Sequence, residues 1–269
     1  MTSRAEQKAE QVGDHPALEK AARAGYAMNG LLHLVIAGIL VQIAIGSGGG
    51  QASSSGALSQ ISQAPFGQVL LWIGAVGYAG LALWQLLQGA VGPHEEGNSG
   101  WADRAKELGK GVTYAVLAFT TYKFATGGGS SGGGKTSDFT RTLMQAPAGQ
   151  ALVFAIGLGV LVVGCYHVYK GATKGFLDDL KGNESGDLGK AVIVAGMVGY
   201  IGKGIALGAI GVLFALAALT RDPEQATGMD GALKTLAGNT GGMAVLLAIA
   251  VGFLGYGLYS FARAKHADL

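Results

Sequence analysis

Apolar residues fill six stretches of the chain with little polar interruption: 25–46, 66–88, 108–126, 149–170, 191–219 and 241–262. Each approaches or exceeds the roughly 20 helical residues that cross a hydrocarbon core of about 30 Å. A β-barrel is the other structure that lipid permits, but it needs short alternating strands and a polar inner face. Residues 151–164 are apolar on every face. The pattern therefore predicts an all-α membrane protein with six transmembrane helices.

The segments between the runs differ by side. Residues 47–60 carry no charge and 127–134 are nearly all Gly and Ser, a composition of flexible coils. On the other side, 92–107 and 176–190 carry mixed charge and are read as solvated turns or short helices. Thirteen Lys and Arg fall on that second side, from Arg4, Lys8, Lys20 and Arg23 to Arg263 and Lys265. The opposite side has Lys135, Arg141, Arg221 and Lys234, with Lys123 at a span end. Positive charge marks the cytoplasmic face, so both termini are expected there. Residues 1–23 alternate charges without an apolar stretch, and a cleaved signal is not expected.

The runs repeat in pairs. When Asn29-Gly30, Lys110-Gly111 and Lys203-Gly204 are aligned, Gly25-Tyr26 matches Gly199-Tyr200. The second members align through Gly77, Gly159 and Gly252, and through Trp84, Tyr166 and Tyr259. Pro65-Phe66-Gly67 returns as Pro147-Ala148-Gly149 and, without proline, as Thr240-Gly241-Gly242, while Gly56-Ala57-Leu58 returns as Gly231-Ala232-Leu233. Proline suits a helix start and the aromatic suits a membrane interface. The chain thus divides into an N-terminal segment, 1–22, and two-helix repeats at 23–92, 104–176 and 190–266. Parallel repeats of this kind are related by an axis along the membrane normal, giving a pseudo-threefold bundle. These motifs resemble the bacterial domain of unknown function 1206, a tandem of two-span units, over about residues 20 to 265. The second copy departs most, with Glu107 where the others have Tyr26 and Tyr200. The resemblance implies a bacterial plasma-membrane protein and supplies neither activity nor site residues.

Composition agrees with the pattern. Only 13% of residues are charged, against about 25% in soluble domains. Glycine supplies 48 of 269 residues, and small residues let membrane helices approach closely. A net charge of +2 points to no nucleic acid, and a lone Cys165 excludes an internal disulfide or a cysteine zinc cluster.

Candidate chemistry is sparse. Gly129-Ser130-Ser131-Gly132-Gly133-Gly134-Lys135-Thr136 spells a phosphate-binding loop, but such a loop needs a strand before it and a helix after it. It lies in a Gly/Ser linker on the far side, and no nucleotide is expected there. His33 and His167 lie within spans, where they could form the axial pair of one haem. The plainer assignment is an imidazole bonded to a neighbouring helix. Asn29, Lys110 and Lys203 share one repeat position and could line a common cavity, since ionisable residues inside a membrane are functional by default. Alternatively Lys110 snorkels from a span start, and so does Lys203 if its span begins near Gly199. No metal site, cofactor or catalytic motif emerges, and an enzyme is not expected. The expectation is an accessory or interaction protein of the bilayer, packing with itself or another membrane protein; a transporter with a central pathway is the alternative, and a haem protein the third.

Overall fold

The structure, a computed structural model, describes residues 15–47, 50–91, 101–129, 134–180, 189–226, 228–239 and 241–267. They form nine α-helices in a long–short–long order repeated three times. The first repeat holds α1 (Pro16–Ala44), α2 (Ser54–Gln63) and α3 (Gly67–Val91). The second holds α4 (Trp101–Ala125), α5 (Gly134–Met144) and α6 (Gly149–Ala172). The third holds α7 (Lys190–Thr220), α8 (Gly228–Ala237) and α9 (Gly242–His266). Single 3₁₀ turns, Gly175–Asp179 and Pro223–Gln225, join α6 to α7 and α7 to α8.

Five of the six long helices, α1, α3, α6, α7 and α9, are long and apolar enough to cross a membrane, the character of a membrane-embedded protein. The sixth, α4, has 25 residues and a length of about 37 Å, but Asp103, Arg104, Lys106, Glu107 and Lys110 crowd its first turns. The end of the bundle holding the start of α1 and the end of α9 is called proximal here, and the opposite end, with the short helices, distal.

Of the two distal segments read as coils, 47–60 enters a helix at Ser54, while 127–129 are irregular and 130–133 lie outside the described residues. Ser53 caps α2 by accepting from Gly56 N at 3.1 Å, and Ala57 and Leu58 are fully buried. Likewise α8 buries Ala232 and Leu233, the same repeat positions. Polar composition concealed these helices because each is only about three turns long and buries one narrow stripe. Each short helix then turns sharply into the next long one. Phe66, Ala148 and Gly241 take the left-handed conformation (φ 61°, 58° and 80°). A Cβ on the next residue, Gly67, Gly149 or Gly242, would collide with the carbonyl oxygen of Ile61, Leu143 or Leu236. That close approach is what makes the glycine obligatory in the repeated motif.

The long helices pack in the order α4–α3–α1–α9–α7–α6. Contacts between repeats use one register throughout: Gly30 against Gly257, Gly204 against Gly164, and Gly111 against Leu86. Contacts within a repeat are offset by nearly a turn between copies: Gly25 lies against the Gly77 backbone in the first repeat, whereas in the third Gly199 lies against Tyr256 and Gly202 against Gly252. The second repeat differs: its long helices α4 and α6 are not packed together as those pairs are.

Candidate functional site

The distal half of the bundle core is aliphatic, with Ile36, Leu40, Leu58, Leu71, Leu246 and Ile249 buried together. The proximal half is built from rings and charges. Tyr200 of α7 lies at the centre, 5.3 Å from Tyr256 and 5.6 Å from Tyr259, ring to ring, and stacks on Phe176 at 5.4 Å. His167 stacks on its other side at 5.7 Å. Tyr256 passes the contact on to His33 at 4.6 Å, and the Lys203 ammonium sits 4.2 Å above the Tyr256 ring. A second group, Tyr26, Tyr78 and Tyr114, joins α1, α3 and α4 through ring separations of 6.4 and 6.2 Å. Arg263 binds the two groups together, lying 4.4 Å over Tyr26 and 3.8 Å from Asp179.

Asp179 ends the 3₁₀ turn between α6 and α7 and organises the cations. Its carboxylate accepts from Lys170 at 2.7 Å and from the Tyr200 hydroxyl at 3.4 Å. Burial raises the pKa of this carboxyl, but Arg263, Lys170 and Lys110 outweigh it and hold it at about 2. The turn itself is anchored: Phe176 is fully buried, its carbonyl accepts from the Tyr259 hydroxyl at 3.0 Å, and Leu180 bridges to Ala267. The segment from 176 is thus a short helix, one of the two forms expected, with Phe176 and Leu180 buried and Asp178 exposed. Tyr259 corrects an expectation, being fully buried where an interfacial ring was expected. A hydroxyl that finds a buried carbonyl can be taken out of the interface.

The predicted residues meet in part. Asn29 donates to Ser260 Oγ at 3.3 Å, and Lys110 pairs with Glu107 at 2.7 Å. Lys203 is the fourteenth residue of α7, which starts at Lys190, so its Cα lies about 20 Å along the helix. Among the described residues no carboxylate lies within ion-pair distance of Lys203. The three side chains thus have different partners: Ser260 for Asn29, Glu107 for Lys110 and the Tyr256 ring for Lys203. His33 and His167 each donate from Nδ1 to the carbonyl four residues back, Asn29 at 2.7 Å and Val163 at 2.8 Å. Their rings share the aromatic network with Lys203.

Register explains the assembly and shows what sequence reasoning missed. Gln88, Lys170 and Arg263 are one repeat position; so are Tyr26, Glu107 and Tyr200, and so are Gln85, His167 and Ser260. These triplets were open to the same alignment that found Asn29, Lys110 and Lys203. Tyr26 and Tyr200 mark the repeat in the sequence but not a site, because an aromatic in an apolar run reads as core. Several polar atoms of the cluster have no protein partner: Tyr78 Oη, Gln85 Oε1, Gln88 Oε1 and Arg263 Nε. Each such buried atom calls for an explanation, because it costs about 1–3 kcal/mol when left unpaired.

Elsewhere the chemistry is thinner. A pocket of 530 Å³ at the distal end is lined by Met144, Gln150, Phe154 and Leu219, and the Gln150 amide is already donated to Ala218 O. The glycine-rich segment from Gly129 follows the helix α4 rather than a strand, and residues 130–133 of it lie outside the described residues.

Three segments of the chain, 24–92, 105–174 and 198–267, match a family described as a Domain of Unknown Function (DUF1206). Each match takes in one long–short–long unit. A Bacillus subtilis (strain 168) protein described as "Uncharacterized protein YxxB" is 28% identical over 254 residues, covering 92% of this chain and 90% of that protein. No solved structure matches.

Proposed function

The chain belongs to the DUF1206 family, and from that premise we propose a six-span protein of the bacterial plasma membrane whose proximal end, with both termini, faces the cytoplasm. The charges of α4 support the sixth span, because all but Lys123 lie in its first ten residues and the rest is apolar apart from Thr113, Thr120 and Thr121. The concentration of Lys and Arg at the proximal end supports the orientation. The packing order supports a pseudo-threefold ring of repeats, interrupted once, between α4 and α6.

Within that frame the proximal cluster is a binding site for a small anionic ligand taken from the cytoplasmic side, which favours a binding or transport role over a purely accessory one. One observation carries this: among the described residues four cations, Lys110, Lys170, Lys203 and Arg263, converge with two carboxylates, Glu107 and Asp179. Lys203, deepest of the four, has an aromatic face and no carboxylate. A cation within a low-dielectric span is costly and persists where it serves a pathway or site. His33 and His167 are assigned to the site's lining. The accessory role retains one supporting feature: α6 is the least covered apolar helix, with 17% of its most apolar stretch buried.

The test is a titration of the detergent-purified protein with inorganic phosphate and simple carboxylates, followed by thermal shift. Saturable stabilisation is expected in the native chain and a loss of about tenfold in affinity in Lys203→Gln, with Lys123→Gln at the distal end unchanged. A native chain that no anion stabilises would defeat the proposal.

A further inference from the structure

We propose that the anion is the headgroup of a phospholipid, which reaches the cluster sideways from the bilayer through the gap between α4 and α6; this rests on the cluster being an anion site.

The gap is defined by register. In the third repeat Gly202 and Gly252 are in backbone contact. Their counterparts in the second repeat are Gly109 and Gly159, and a Cβ built on either would meet nothing within 4 Å. Gly80 and Gly255, the next contact along, lie against Ala21 and the Ala195 carbonyl. Val162 holds that register in α6 and is 67% exposed. The face that closes the other two hairpins is therefore present in the second and unoccupied by any described residue.

This gap ends at the cluster. About one and a half turns beyond Val162 lies His167, stacked on Tyr200; one residue from Gly109 lies Lys110, whose ammonium pairs with Glu107 and also acts on Asp179. An object filling the gap would meet apolar walls along most of its length and cations at its proximal end. That is the division of a phospholipid into acyl chains and phosphate. The proximal position also fits, since Lys170 and Arg263 lie within the last turn of α6 and α9, at the depth where headgroups sit. A soluble anion would satisfy the cations but leaves the apolar gap unexplained.

The experiment is native mass spectrometry of the protein released from nanodiscs holding equal amounts of phosphatidylcholine and phosphatidylglycerol. Glycerol phosphate, the soluble headgroup, is titrated in parallel. The native chain is expected to carry one phosphatidylglycerol, enriched about tenfold over phosphatidylcholine, and to lose that preference in Lys110→Gln/Lys203→Gln. Val162→Trp, which fills the gap from an exposed position, is expected to lose the lipid and keep glycerol phosphate. Phosphatidylglycerol retained in the Trp variant would overturn the lateral route. Glycerol phosphate bound without any lipid preference would overturn the lipid and leave the anion site standing. Neither ligand bound would remove both. A dimer that Val162→Trp dissociates would show the gap to be a protein contact and overturn the proposal.

Discussion

The second and third repeats share a fold, a length and both glycines of the contact that closes a hairpin, yet only the third is closed. Gly202 touches Gly252, while Gly109 and Gly159 do not meet. The glycines therefore permit contact without causing it. What differs is the flank. Where the third repeat has Gly199, Tyr200 and Gly255, the second has Lys106, Glu107 and Val162. Two charged side chains, paired at 3.9 Å, and a branched one stand on the faces that would have to approach. Small residues drive helix association in lipid only over a continuous strip, because the gain is van der Waals contact summed over many atoms. One interrupted strip is enough to open one hairpin.

The largest break in this comparison comes from filling the glycines. Gly252→Val is expected to destabilise by about 3 kcal/mol or to prevent accumulation, because the added atoms meet the Gly202 backbone. Gly159→Val is expected to stay within about 0.5 kcal/mol, as a surface change does. Thermal melting in one detergent compares them, and equal losses would mean that the second repeat is closed too. Next in size is Arg263→Gln, which installs the residue that holds this register in the first repeat. Removing one partner of a buried pair that is 13% and 18% exposed is expected to cost about 3 kcal/mol, read in the same melt. Acid should show the other half of that pair. The Asp179 carboxyl is depressed to about 2, so its contribution is complete above about pH 4 and lost as pH falls through 2. The loss is about 2 kcal/mol and should vanish from the pH profile of Asp179→Asn. Smallest is the graft Lys106→Gly/Glu107→Tyr/Val162→Gly, expected to close the second hairpin with a gain of about 1 kcal/mol. Spin labels at Val116→Cys and Cys165 should then report a shorter distance, and an unchanged one would show that the flank is not the cause.

The long helices were legible because each is a run of apolar residues that lipid requires to be helical throughout. Their proximal ends were not: α1 begins at Pro16, capped by the His15 ring accepting from Ala17 N at 3.2 Å, nine residues before the apolar run. Such extensions are held by local capping and by tertiary contacts, and hydropathy records neither. The short helices were hidden for the reason already given by Ser53, a cap within a polar stretch. In the site, Asn29, Lys110 and Lys203 stood out as polar letters in an apolar text. Tyr26, Tyr200 and Tyr256 did not, since their importance lies in which rings they face across helices. Asp179 could not be placed at all, because a carboxylate in a loop becomes a hub only when Phe176 buries the loop.

Arg23 gives the molecule a clock. Its guanidinium donates to the carbonyls of Ala264 at 3.1 Å and Lys265 at 2.6 Å, holding the end of α9 against the start of α1 across 241 residues of chain. At about 5–20 residues per second of synthesis, α1 resides in the bilayer for about 10–50 s before those carbonyls exist. Through that interval Asn29 and His33 also lack Ser260 and Tyr256, so the first helix to be inserted is the last to be satisfied. Biogenesis of this fold thus has a built-in waiting period, and the nascent α1 is the segment that a membrane chaperone or protease would meet.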